Sequence, residues 1–276
     1  MTGTKPQYIS ASRRNDFPRF HYNRFYEALQ QGAITYDGGY GRSYTVSLKR
    51  EDVLGYLFWS KDFKPFITHA AFDRFFEENN ALFHFTINDM PALEPHVPSL
   101  KDRFKTLELL CKRVTPERVC WRFDPVCKYV SNDGNVMLNV APFFNMLSRI
   151  RQLGVTRCYF SFITAYAKLN KRNTTFLSFT DDEKTTIACE MLDAANQHDI
   201  SLYNCCNPEI LSMVPGIKKA SCVDEKLLRH TDRFERHVAL RSKPTRQGCG
   251  CYESRDIGSY SPACPHGCMY CYANPA

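Results

Sequence analysis

Residues 99–125 read SLKDRFKTLELLCKRVTPERVCWRFDP. Two periods meet in this stretch. Phe104, Leu107, Leu110 and Val114 recur at helical spacing behind Ser99, a residue suited to capping a helix start. Val119 to Phe123 is then a short apolar run that carries Arg122 and ends in Asp124-Pro125. Its length and its aromatic and β-branched content predict a buried strand. A helix feeding a buried strand that stops on charged residues is one unit of an alternating α/β fold.

The same unit recurs on either side. Apolar runs that stop on polar residues occur at Tyr8–Ser12, Tyr56–Trp59, Ala81–Ile87, Cys158–Ile163, Ser201–Cys206 and Ala220–Val223. One further strand is expected between Ala33 and Leu48. Helical faces fall between the runs: Tyr22, Phe25 and Leu29 after Pro18, and Val140, Phe143, Leu147, Ile150 and Leu153 before Gly154. Thr180 and Glu183 have the spacing of a capping box ahead of Ile187, Met191 and Ala195. About eight strands alternating with helices imply a parallel sheet and fit a closed (β/α)8 TIM-like barrel. An open doubly wound sheet is the alternative, because periodicity does not show closure. After about Leu240 apolar periodicity stops and Gly, Pro, Ser and Cys dominate. The expected organisation is a barrel over residues 1–240 and a cysteine-rich, cofactor-binding tail over residues 241–276 packed on it.

The 276 residues are 43% apolar and 24% charged, an ordinary globular balance. No run of 18 apolar residues occurs, and the polar first residues lack a signal-peptide core, so a cytoplasmic protein with no membrane partner is expected. The net charge of +7 is uneven: Lys226 to Arg246 holds seven Lys or Arg and two acids. That segment reads either as a solvated face or as a positive wall near an anionic substrate, a cluster or nucleic acid.

Thirteen cysteines point to metal or redox chemistry in a reducing compartment. Eight are scattered, mostly in apolar runs where a small buried side chain is the expected role. Five crowd between Cys249 and Cys271. Cys264, Cys268 and Cys271 form C-x3-C-x2-C, the pattern used by radical SAM enzymes, where three thiolates leave one iron of a [4Fe-4S] cluster open. The spacing differs from the ferredoxin run and from paired zinc knuckles. Zinc held by four thiolates, with Cys249 or Cys251 as the fourth, is the alternative metal. Cys249 and Cys251 also suit a redox pair or a second metal site. Tyr270 would shield a cluster from water and Asp256 would orient its ligands; with Asn274 they are the candidate cofactor-binding residues.

Longer motifs carry a resemblance. Ser10 to Pro18 reads S-A-S-R-R-N-D-F-P, Phe58 to Lys61 F-W-S-K and Trp121 to Pro125 W-R-F-D-P. Ser161 to Lys168, Ser221 to Asp224 and the closing segment Cys249 to Asn274 continue the series. In this combination the chain resembles, from end to end, an uncharacterised prokaryotic domain-of-unknown-function family. The resemblance implies a barrel-like α/β fold and a C-terminal cysteine cluster similar to that of radical SAM domains. Three residues separate Tyr260 from Cys264 where the family pattern has two. Relative to radical SAM domains the motif comes last, and no Gly-Gly-Glu segment follows it.

The C-terminal ends of parallel strands form the rim where barrel active sites lie. The candidate catalytic residues there are Arg13, Arg14, Asp16, Lys61, Arg122, Asp124, Lys168 and Asp224. The arginines suit a carboxylate or phosphate, the aspartates would orient them, and the lysines are acids or counter-ions. The expected function is a radical SAM-like enzyme binding S-adenosylmethionine and acting on an unidentified, anionic substrate, with an electron donor as partner. The alternatives are a nucleic-acid-binding or repair protein with a structural or redox cluster, and a zinc-stabilised barrel.

Overall fold

The computed structural model describes residues 5–39, 41–164 and 166–273. Its strands are β1 (Gln7–Ala11), β2 (Ala33–Gly39), β3 (Arg42–Ser47), β4 (Val53–Ser60), β5 (Ala81–Thr86), β6 (Val119–Val126), β7 (Lys128–Val130), β8 (Val136–Leu138), β9 (Arg157–Phe162), β10 (Phe176–Leu177), β11 (Ser201–Asn204), β12 (Lys218–Lys219) and β13 (Arg255–Asp256). The helices are α1 (Phe17–Phe20), α2 (Tyr22–Gln31), α3 (Lys64–Thr68), α4 (Phe72–Glu78), α5 (Leu100–Val114), α6 (Ala141–Gln152), α7 (Asp181–Gln197), α8 (Pro208–Met213) and α9 (Glu225–His230).

Eight strands form one sheet in the order β12-β11-β9-β6-β5-β4-β1-β13, with every neighbouring pair parallel. Side chains alternate across it. Val53, Tyr56 and Phe58 of β4 join Phe25, Phe104, Phe143 and Ile187 of the helices in the larger core, while Leu54 and Leu57 face the other way. The second face packs a smaller core of Tyr8, Leu82, Cys120, Tyr159, Cys222 and Cys251. Helix starts follow the sequence signals. Ser99 accepts a bond from Asp102 N–H (3.2 Å), and Thr180 and Glu183 complete their capping box.

The expectation of a closed (β/α)8 TIM-like barrel is corrected: the sheet is open. Its edges, β12 and β13, are two residues each and do not pair. The sheet nevertheless curls strongly. His84 in β5 and Cys222 beyond β12 are separated by four strand spacings, roughly 19 Å on a flat sheet, yet His84 Nε2 lies 2.8 Å from the Cys222 carbonyl. Curling brings the edges into proximity, and a bond from Tyr252 N–H to Val223 C=O (3.1 Å) crosses the seam without starting a ladder.

The expected strand count is met by different residues. The 33–48 run is an antiparallel hairpin, β2 with β3, outside the main sheet. Its chain reverses at Gly39 and Gly41, both at positive φ (85° and 70°). The eighth strand of the main sheet is β13, from the tail, parallel to β1. No helix among the described residues is long and apolar enough to cross a membrane.

Candidate functional site

The C-terminal ends of β1, β4, β5, β6, β9 and β11 surround a cavity of about 690 Å³. In open α/β sheets this edge is where ligands bind. Cys264, Cys268 and Cys271 line it together with Arg13, Arg122 and Asp124, so the expected metal residues and most of the expected rim residues meet in one place.

The trio sits on a tightly held loop. Two turns shape it, Gly267 N–H to Cys264 C=O (3.2 Å) and Cys271 N–H to Cys268 C=O (3.1 Å). Gly267 takes φ 62°, a left-handed conformation that a side chain would strain. Met269 N–H binds the Leu93 carbonyl (2.9 Å), and Arg172 donates to the Cys268 and Cys271 carbonyls (3.2 and 2.8 Å). His266 is 1% exposed, and its Nε2 hydrogen-bonds Asp16 (2.9 Å). Burial pushes the Cys264 and Cys268 thiols up to about 11 and about 12, so a metal would have to displace their protons.

Asp16 is the knot behind this loop. Besides His266 it accepts from Ser60 Oγ (2.6 Å), Lys61 N–H (2.7 Å) and Arg19 N–H (3.2 Å), the last as N-cap of α1. It therefore joins the ends of β1 and β4 to the cysteine loop. Lys61 Nζ binds Tyr270 Oη (2.6 Å) and Glu94 (2.7 Å). Burial opposes charge on this pair, but attraction outweighs it. Glu94 is held down at about 2 by Lys61 and Arg103, and Lys61 is held above its ordinary value by Glu94. Tyr270 thus anchors the loop through the Lys61–Glu94 pair. Its phenol is raised well above the ordinary value, first by burial and then by Glu94.

The arginines take different postures. Arg13 donates Nη2 to Ser254 Oγ (3.2 Å), and its backbone N–H binds Asp256 (2.9 Å). Its Nη1 is buried without a hydrogen-bond partner among the described residues. Arg14 Nη1 binds the Gly258 carbonyl (3.0 Å). Arg122 bridges Asp124 and Cys222 Sγ (3.1 Å), and Ser161 Oγ fixes Asp124 from the other side (2.5 Å). Burial opposes the Arg122 charge, but Cys222 and Asp124 hold its pKa well above the ordinary value.

Some expected site residues stand elsewhere. Asp224 caps α9, accepting from Leu227 N–H (3.1 Å), and lies 3.7 Å from Arg157 at the start of β9. Lys168 lies in a short 3-10 turn, Ala167–Lys171. Neither lines the cavity. Asn274 lies outside the described residues. Cys249 and Cys251 do line the cavity, but their contacts are with Thr245 Oγ1 (3.5 Å) and Cys222 N–H (3.2 Å), not the trio. The basic segment binds its own chain in part: Arg233 donates to the Asn79 carbonyl (2.7 Å) and Arg236 to that of Arg50. Sequence reading missed Glu94, His266, Ser161 and the sulfurs of Cys205, Cys206 and Cys222. His266 and Cys222 lay within quoted motifs; Glu94 had no signal, since its partners come from distant strands.

Among the described residues, no three His, Cys, Asp or Glu side chains converge at the distance of a single metal ion. The donor set still suits a cluster. Three thiols on one short loop share a cavity wall, and four-iron clusters take thiolates at their corners, not around one atom.

The chain belongs to the family described as Domain of unknown function (DUF1848), whose model matches residues 8–273. No curated protein matches it.

Proposed function

We propose that this protein is an iron–sulfur enzyme of radical SAM type that acts on an anionic substrate held in the cavity at the C-terminal edge of its sheet. One observation carries the reading. Cys264, Cys268 and Cys271 line the same cavity as Arg13, Lys61, Arg122 and Asp124. Held by three thiolates, a [4Fe-4S] cluster would supply the electron for reductive cleavage of S-adenosylmethionine, with its fourth iron open to that molecule.

The chain's own residues would bind and orient. Arg13 offers a buried, unpartnered Nη1 to a carboxylate or phosphate. Arg122 is held on the cavity wall by Asp124 and adds positive charge there. Lys61 and Tyr270 stand behind the trio and fix the loop's position. Trp59, Phe162 and Ile163 give part of the wall an apolar lining.

The test is anaerobic purification with iron, sulfide and zinc analysis, followed by EPR of the reduced protein with and without S-adenosylmethionine. The expected result is iron with matching sulfide and a signal that changes on adding S-adenosylmethionine. A sulfide-free protein, or a cluster signal indifferent to that molecule, would sink the reading.

A further inference from the structure

Cys205 and Cys206 follow β11, Cys222 follows β12, and Cys249 and Cys251 precede β13. Curling of the sheet gathers all five at the seam between its two edges, on the cavity wall. We propose that these five cysteines hold a thiolate-ligated metal centre, separate from the C-terminal trio, that staples the open seam.

The five thiols gather along the seam. Cys205 Sγ lies 3.5 Å from Cys206 Sγ. Cys222 N–H reaches Cys251 Sγ and Cys251 N–H reaches Cys249 Sγ, so these three follow one another, and all five thiols line one wall of the cavity. The sulfurs of a tetrahedral thiolate site stand about 3.8 Å apart, given metal–sulfur bonds of about 2.3 Å. The Cys205–Cys206 separation is of that size; no three of the sulfurs yet converge on a single-ion position, so a zinc ion would have to draw the others inward, whereas a cluster would take them at its corners.

The surroundings are those of a bound thiolate. Cys222 N–H points at Cys251 Sγ (3.2 Å), Cys251 N–H at Cys249 Sγ (3.4 Å) and Thr245 Oγ1 at Cys249 Sγ (3.5 Å). Such bonds orient and tune metal-bound sulfur. Four thiolates around a zinc ion, or around an oxidised four-iron cluster, leave a net charge of about −2. Two guanidiniums are in place to balance it: Arg122 Nη1 at 3.1 Å from Cys222 Sγ, and Arg246, which lines the same cavity as Cys206.

The backbone is also fitted to the purpose. Gly248 and Gly250 flank Cys249. A Cβ on Gly250 would stand 2.7 Å from the Ala220 carbonyl oxygen, and one on Gly248 3.2 Å from Cys206 Cα. Glycine is therefore what lets the C-G-C turn press against the chain beyond β11 and β12. Disulfides account for the group poorly: five is odd, and both adjacent and C-x-C pairs are strained as bridges.

The test uses the full-length chain, expressed with both iron and zinc and purified anaerobically. The variant Cys264→Ala/Cys268→Ala/Cys271→Ala should still carry metal, either about one zinc without sulfide or iron with matching sulfide. Adding Cys222→Ser and Cys249→Ser should lower that remainder at least about tenfold. If the variants do not fold, the wild-type chain is read by alkylation and mass spectrometry. The seam cysteines should resist labelling until a chelator is added. A triple variant without metal, seam thiols that label equally with and without chelator, or a seam disulfide would each overturn the centre. The inference does not rest on the radical reading: seam metal without a response to S-adenosylmethionine sinks that reading alone, and the reverse result sinks only the seam.

Discussion

Cys264, Cys268 and Cys271 fall within 8 residues of sequence, whereas Cys205, Cys206, Cys222, Cys249 and Cys251 span 47 residues and three segments. The trio is fixed by a short loop whose turns bring the thiols to one wall. The seam group exists only because β11, β12 and the approach to β13 end at the same place. Spacing encodes the first site locally. The second is encoded by topology, and no spacing rule reaches it. Their supports differ as well: the trio hangs on Asp16, Lys61, Glu94 and Arg172, while the seam is braced by Arg122, Arg246 and two glycines.

If the supports are separate, each can be broken alone. The largest effect is expected from Glu94→Ala, which leaves buried Lys61 and Arg103 without their acid and should cost about 3–5 kcal/mol. Chemical denaturation with metal analysis of the folded fraction checks it. Trio metal should fall and seam metal should stay; equal loss from both would break the comparison. Next is Asp16→Ala, which strands the donors of His266, Ser60 and Lys61 and should cost about 2–3 kcal/mol. A crystal structure of this variant should show the cysteine loop displaced and the seam unmoved.

Acid gives a milder test of the same support. Glu94 is held at about 2 in the folded chain against an ordinary 4.5. A depressed carboxyl contributes stability that is complete above the ordinary value and disappears as pH falls towards the folded one. The wild-type chain should therefore lose more stability than Glu94→Gln between pH about 4.5 and 2. Unfolding curves with parallel pH slopes would show that Glu94 is not the acid-sensitive support. The smallest effect is expected from Asp224→Ala, which removes a helix cap worth about 1 kcal/mol. Both metal contents and substrate turnover should be unchanged.

The legible part of the molecule was local. Ser99, Thr180 and Glu183 marked helix starts because a cap needs residues only three apart. Val119–Phe123 marked a strand because burial on both faces shows as a continuous apolar run. Closure was not legible, since it depends on whether β12 and β13 pair, and each has only two residues to offer. The 33–48 run misled because a hairpin strand and a sheet strand share one period. At the site, the strand ends bring Arg13 and Arg122 to the cavity and leave Asp224 outside it, capping α9: a strand-end aspartate caps a helix as readily as it faces a ligand. Glu94 was invisible because its partner lies 33 positions away, and His266, though inside a quoted motif, gave no hint of its partner 250 positions away.

The pairing of β1 with β13 ties the 5–11 region to residues about 245 positions later. At the usual pace of synthesis, roughly 5–20 residues per second, the free edge of the first strand waits on the order of ten to fifty seconds for its neighbour. Both cysteine groups wait with it, because each takes cysteines from residues 249–271. A ribosome that stalls near Ser242, or a protease that clips there, releases a chain with a naked strand edge and incomplete cysteine groups. Such an edge is open to pairing with another chain, so quality control in the cell has a defined window in which to recognise this protein as unfinished.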